Sequence, residues 1–167
     1  MIRAYLGLGS NLQSPQQQLQ RCLDALAQLP GSHVDAVSPF YGSKAVGPGT
    51  QPDYVNAVVQ LNTELTPHAL LTALQQIEQL HGRERGPERW LPRTLDLDIL
   101  LYGNQVVNEP HLLIPHPRMT ERNFVLLPLF DLAPDLVLPD GQAVRDLLKR
   151  CGRDGIWQLD TDPHRTA

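Results

Sequence analysis

Apolar residues recur along this chain in blocks of two different periods, separated by polar or Gly/Pro-rich breaks. Ile2 to Leu8 is an apolar run of strand length, and Gly9-Ser10-Asn11 breaks it. Between 15 and 29 the spacing turns helical: Leu19, Cys22, Leu23, Leu26 and Leu29 share one face, and Pro30-Gly31 ends the segment. His33 to Tyr41 predicts a second strand, followed by a Gly/Pro-rich loop to Asp53. Tyr54 to Leu65 alternates, with Val55, Ala57, Val59 and Leu61 on one side. Thr66-Pro67 starts a second helix, with Thr66 as N-cap and Pro67 in the first helical position. It is expected to run to about His81 and to bury Leu70, Leu71, Leu74, Ile77 and, near its end, Leu80. A second loop covers 82–94, and the apolar stretch that follows ends at Gly103-Asn104, a hairpin signal leading into Gln105-Val106-Val107. Shorter helices are expected at 119–131 and 144–150, with a polar tail after Cys151 whose last residues are expected to be mobile.

The resulting order, β-α-β-β-α-β, predicts an α+β fold. Its core is ferredoxin-like, an antiparallel sheet with two helices packed on one face, plus C-terminal additions. At 167 residues the chain fits a single domain, 1–167, with no internal repeat.

The stretch from Arg93 to Tyr102 departs from a plain core strand. Asp96 and Asp98 interrupt it two residues apart, so they point to the same face, with Cα atoms roughly 6.5–7 Å apart. Leu95, Leu97 and Ile99 then face the other way. Aspartate is depleted in strands, and two like charges this close repel unless cations or arginines offset them. A Mg²⁺ site fits, since hard oxygen ligands suit that ion. A solvated strand face carrying two harmless aspartates fits as well. The preceding loop shifts the balance: Arg83, Arg85, Arg89 and Arg93 place four arginines within eleven residues. Arginine grips phosphate in a bidentate fashion, and metal-binding carboxylates beside arginines are what phosphoryl transfer requires.

Composition narrows this further. The net charge of −4, from 14 basic and 18 acidic residues, argues against non-specific nucleic-acid binding. The chain opens with no apolar run of signal-peptide or membrane length, so a soluble cytoplasmic protein is expected. Cys22 and Cys151 give no support for a disulfide, and Cys22 is expected to be a small buried residue. No Walker A sequence is present, and Gly7-Leu8-Gly9 lacks the third glycine of a dinucleotide fingerprint. Its expected role is a turn that lets the backbone pack closely. No zinc pattern appears. Asn56 could read a heterocycle edge, Tyr54 and Phe124 could stack on a flat ring, and His116, between Pro115 and Pro117, could meet phosphate or cap a turn.

Together these pieces resemble the 6-hydroxymethyl-7,8-dihydropterin pyrophosphokinase family. The resemblance rests on Gly9-Ser10-Asn11, Gln51-Pro52-Asp53-Tyr54-Val55-Asn56, Glu88-Arg89-Trp90 and, most specifically, Pro92-Arg93-Thr94-Leu95-Asp96-Leu97-Asp98-Ile99. Pro115-His116, Arg122-Asn123-Phe124 and Pro128-Leu129 extend it; residues 151–167 lie outside it. It implies transfer of pyrophosphate from ATP to the pterin hydroxymethyl group in folate biosynthesis, with AMP leaving. It implies two Mg²⁺ ions on Asp96 and Asp98, with Arg83 and Arg93 acting on the phosphates. It places Gln75, Glu78, Arg85, Trp90, Ile99, His116 and Arg122 on the ATP side. Ser43, Lys44, Ala45, Val46, Tyr54, Asn56 and Phe124 fall on the pterin side, and a monomer with no nucleic-acid or membrane partner is expected. Leu91, the Ser43–Val46 segment and Pro117 depart from the family's usual residues and bear on loop closure and affinity rather than on the reaction. Two rivals remain at this level: a Mg²⁺-dependent phospho- or nucleotidyltransferase acting on another heterocyclic alcohol, and a non-catalytic nucleotide-sensing module.

Overall fold

The computed structural model describes residues 1–11, 14–44, 53–82 and 95–159. In chain order they form β1 (Ile2–Ser10), α1 (Pro15–Ala27), β2 (Ser32–Val37), β3 (Tyr41–Ser43), β4 (Tyr54–Thr63), α2 (Pro67–Gly82) and β5 (Leu95–Tyr102). Then come β6 (Val107–Glu109), β7 (Leu112–Ile114), a 3₁₀ turn at Met119–Glu121, α3 (Asn123–Leu132), α4 (Val144–Cys151) and β8 (Ile156–Gln158). The main sheet runs β5-β1-β4-β3-β8, with β2 also paired to β4, and every pairing in it is antiparallel. The expected α+β, ferredoxin-like core is present. Among the described residues no helix is long and apolar enough to cross a membrane.

The sheet is covered on both faces. One face packs Leu6, Leu8, Val59, Leu61 and Leu97 against Leu19, Leu26, Leu70 and Leu74 of α1 and α2. Thr66 caps α2 as expected, its Oγ1 accepting from the Ala69 N–H at 3.2 Å. The other face packs Tyr5, Tyr41, Val58 and Leu100 against α3 and α4. Cys22 is fully buried, and both cysteines are free.

Several expectations change. Gly7 and Gly9 lie inside β1 rather than in a turn, and the strand continues to Ser10. A Cβ on Gly7 would sit 3.3 Å from the Leu100 side chain, and one on Gly9 would sit 3.0 Å from Asn56 Oδ1. The glycines thus admit neighbouring side chains, as close approach requires. The strand expected at 33–41 is two strands. Pro39 has no N–H to give the ladder, and Ser38 bridges the break: its N–H donates to Val58 O and its Oγ accepts from Val58 N, both at 2.9 Å. Leu80 is 79% exposed, because it has rotated past the face that buries Leu70 and Leu74. Gly103-Asn104 does turn, but the segment beyond it pairs as β6 with β7 rather than returning to β5. The expected 119–131 helix is split at Arg122, and residues 156–158 of the polar tail join the sheet as β8.

In β5 the pairing with β1 shifts between Tyr5 and Leu6. Asp98 pairs with Gly7 and Ile99 with Leu6, but Leu101 pairs with Tyr5, so Leu100 is the extra residue of a β-bulge. Leu100 and Leu101 both enter the α3/α4 side, and Tyr102 returns to the α1/α2 side. The bulged Leu100 carbonyl accepts the His116 N–H at 3.0 Å.

Candidate active site

Alternation along β5 sends Leu95, Leu97 and Ile99 into the α1/α2 core and turns Asp96 and Asp98 to the opposite face, as expected. Their cross-strand neighbours on β1 are Gly9 and Gly7. With no side chain across from either aspartate, that part of the sheet is open. Next to Gly9 on β4 stands Asn56, and next to Asn56 on β3 stands Tyr41.

A cavity of about 420 Å³ lies over this row. Asp96, Asp98 and His116 line one part, and Ser43, Lys44, Tyr54, Asn56 and Phe124 another, with Arg118 and Arg122 also on its wall. Residues separated by up to 118 positions, Gly7 to Val125, thus meet in one space. The Asn56 Nδ2 donates to Ser43 Oγ at 2.8 Å, and both residues are buried. The Arg122 guanidinium lies 5.6 Å from the centroid of the Phe124 ring, within cation–π range.

His116 caps the turn, one of the two roles the sequence left open, and its other ring nitrogen faces the cavity wall near Asp98. Its Nδ1 accepts from the Arg118 N–H at 3.2 Å, closing the turn, and its Nε2 lies 3.9 Å from Asp98 Oδ2. Burial holds the imidazole below its ordinary range, Asp98 pulling the other way and Arg122 and Arg118 adding to the depression. A second cavity of about 280 Å³ adjoins it, lined by Leu71, Asp98, Ile99, His111, Leu112 and Pro117 among others, and His116 borders both.

Glu78 lies behind the aspartates on α2. Its Oε2 accepts the Leu97 N–H at 2.7 Å. Burial pushes the Glu78 carboxyl up to about 7, the Leu97 N–H opposes this, and the nearby Asp96 and Asp98 charges add to it. Burial and then Glu78 push the Cys22 thiol up to about 12. Gln75, one turn earlier on α2, is exposed and lines neither cavity. Arg83, Arg85, Trp90, Arg93, Ala45 and Val46 lie outside the described residues. Arg118 was not singled out from sequence; its signal was its position beside His116 and Pro117 in the same rigid turn.

The carboxylate pair fits Mg²⁺. Both aspartates open into one cavity, and among the described residues no group of three or more His, Cys, Asp or Glu side chains forms a closed metal cage. Mg²⁺ typically takes one or two carboxylates and fills its shell with water and phosphate oxygens.

Residues 5–134 match the family model described as 7,8-dihydro-6-hydroxymethylpterin-pyrophosphokinase (HPPK). The chain is 53% identical over 150 residues to the 2-amino-4-hydroxy-6-hydroxymethyldihydropteridine pyrophosphokinase of Haemophilus influenzae, covering 90% of this chain and 93% of that one. It is 53% identical over 157 residues to the Pseudomonas aeruginosa protein of the same name, covering 94% and 96%. Among solved structures it is similar to the Plasmodium falciparum wild-type HPPK-DHPS with SDX-DHP, at a TM-score of 0.70 and 15% identity. That match covers 96% of this chain and 48% of the other, so the chain spans about half of that longer protein. The carboxylate pair, the open glycine row and these matches lead to one conclusion: the chain belongs to the 7,8-dihydro-6-hydroxymethylpterin-pyrophosphokinase family.

Proposed function

We propose that this chain transfers pyrophosphate from ATP to the hydroxymethyl group of 6-hydroxymethyl-7,8-dihydropterin, releasing AMP, in folate biosynthesis, and that transfer takes place in the 420 Å³ cavity. The observation that carries the reading is the presence of Asp96 and Asp98 in the same space as Tyr54, Asn56 and Phe124. The substrate hydroxyl oxygen attacks the β-phosphorus, the bond from that phosphorus to the α-phosphate oxygen breaks, and the hydroxyl proton is released.

Tyr54 and Phe124 offer apolar faces to a flat ring, and the buried Asn56 carboxamide, held by Ser43, offers hydrogen bonds to its edge. Lys44 borders this side. Asp96 and Asp98 would hold Mg²⁺, two ions in this reading, which would supply charge neutralisation and polarisation at the phosphate oxygens. His116 and Arg122, together with Arg118, present donors and positive charge on the same wall. Ile99 and His116 border the second cavity, which suits the rest of the nucleotide. Glu78 reaches this side from α2 through its bond to the Leu97 N–H, and Gln75 is assigned to it by the family resemblance alone. Arg83 and Arg93 meet the charge that spreads during transfer, Arg85 belongs to the same loop on the ATP side, and Trp90 helps to close that loop; Ala45 and Val46 frame the pterin. These six roles rest on the family resemblance. In this reading the chain acts as one catalytic domain and as a monomer.

Incubation with ATP, Mg²⁺ and 6-hydroxymethyl-7,8-dihydropterin tests this. AMP should appear one-for-one with the pterin pyrophosphate. ADP would indicate an ordinary kinase, and ATP binding without turnover would indicate a sensor.

A further inference from the structure

The walls of the pterin side come from separate parts of the chain, Phe124 at the start of α3 and Ser43-Lys44 at the end of β3. One short segment touches both. The Asn123 Nδ2, adjacent to Phe124, donates to the carbonyls of Gly152 and Asp154 at 3.1 and 3.0 Å. The Cys151 Sγ also donates to Thr120 O at 3.4 Å, fastening the same stretch to the turn before α3. On the far side, β8 pairs with all of β3: Ile156 with Ser43, Trp157 with Gly42 and Gln158 with Tyr41. Lys44 N–H donates to Gly155 O at 3.4 Å, and Leu159 N–H to Phe40 O at 2.9 Å.

Trp157 adds a specific fit. A Cβ on Gly42 would lie 2.5 Å from the indole Cε2 and Nε1, so the ring lies flat against a backbone with no side chain. Only glycine permits this approach. The segment from 152 to 158 therefore ties the strand that carries Ser43 to the helix start that carries Phe124.

We propose that residues 152–158 form a clasp that sets the width of the pterin side of the cavity, with Asn123 as its positioning residue. Asn123 touches no substrate; it acts through the neighbouring Phe124. The Ser43 hydroxyl, which holds Asn56, is fixed from the other end by β8. The clasp constrains the ring-binding walls and makes no contact with Asp96, Asp98 or His116; Arg122, next to Asn123, is the ATP-side residue nearest to it, so loss of the clasp should weaken pterin binding more than ATP binding. This rests on the activity proposed above.

Steady-state kinetics on the full chain, with AMP as readout, decide the matter. Asn123→Ala should raise the pterin KM roughly fivefold to tenfold, the scale of two lost hydrogen bonds, while the ATP KM stays within about twofold. Asn123→Asp keeps the shape but not the donors, and should behave like Asn123→Ala. Trp157→Ala should give the same split, and the double variant should fall short of the product of the two single effects, because both act through one segment. An unchanged pterin KM, a parallel rise in ATP KM, normal behaviour of Asn123→Asp, or full additivity would overturn the clasp while leaving the activity intact. A wild-type chain that forms no AMP would overturn the reading of the activity, and the clasp with it.

Discussion

Asn56 and Ser43 form a buried pair: the carboxamide Nδ2 donates to the hydroxyl oxygen at 2.8 Å, across paired strands, at the floor of the cavity. On its other side the Asn56 Oδ1 lies 3.0 Å from the point a Cβ on Gly9 would occupy. The carboxamide is held from one side and given room from the other, which fixes the direction its remaining hydrogen-bonding capacity faces.

Ser43→Ala removes the acceptor and leaves a buried N–H without it. Such a loss costs about 1–3 kcal/mol. Thermal unfolding should show a lowered Tm, and the pterin KM should rise with the ATP KM nearly constant. An undiminished Tm would mean that the carboxamide finds another partner.

Removing one aspartate separates folding from chemistry. In the metal-free protein, Asp96→Ala or Asp98→Ala relieves a repulsion, so Tm should hold or rise. AMP formation should fall by roughly a hundredfold or more, the scale of losing one electrostatic element at a transition state. Near-normal turnover in either variant would remove the pair from the metal site.

Glu78 gives a pH dependence with a definite sign. Its carboxyl is raised from the ordinary 4.5 to about 7 in the folded chain. A raised value means the contribution to stability is fully present below about 4.5 and is lost as pH rises through about 7. Metal-free protein should therefore lose Tm across that window. Glu78→Gln keeps an acceptor for the Leu97 N–H, carries no charge, and should be more stable than the wild type at pH 8 but not at pH 4. Equal Tm profiles for the two proteins would refute the assignment.

Ser38→Ala is the contrasting case. It strips the Oγ that completes the ladder to Val58 where Pro39 breaks the strand. The cost should again be about 1–3 kcal/mol in denaturant unfolding. Because Ser38 lines neither cavity, both KM values should match the wild type.

The sequence revealed most of the elements, because one-sided burial imposes a period. That held for α1, α2 and β4, and for the opposite facing of Asp96 and Leu97. It failed where a residue's neighbour lies far along the chain. Gly7 and Gly9 resemble a turn until Leu100 and Asn56 are known to need their space. Leu80 follows Ile77 by three residues, yet that step carries it past the buried face of α2. The polar residues around Ile156-Trp157-Gln158 hide an edge strand of three residues, because the pairing uses the backbone. Of the site, the resemblance named Tyr54, Asn56 and Phe124, and the cavity brings them beside Asp96 and Asp98. Arg118 and the Ser43–Asn56 bond carried no periodic signal.

The bulge at Leu100 has a consequence for how this chain tolerates insertions and deletions. It is the point where β5 changes register, with the carboxylates before it and the hydrophobic anchors Leu101 and Tyr102 after it. A residue gained or lost in the Gly103-Asn104 turn leaves the aspartates facing the cavity. A residue gained or lost between Asp98 and Leu100 forces a choice: either the two charges enter the α1/α2 core, or the distal half of the strand does not seat. Length variation should therefore be tolerated in the Gly103-Asn104 turn and should disrupt the fold between Asp98 and Leu100.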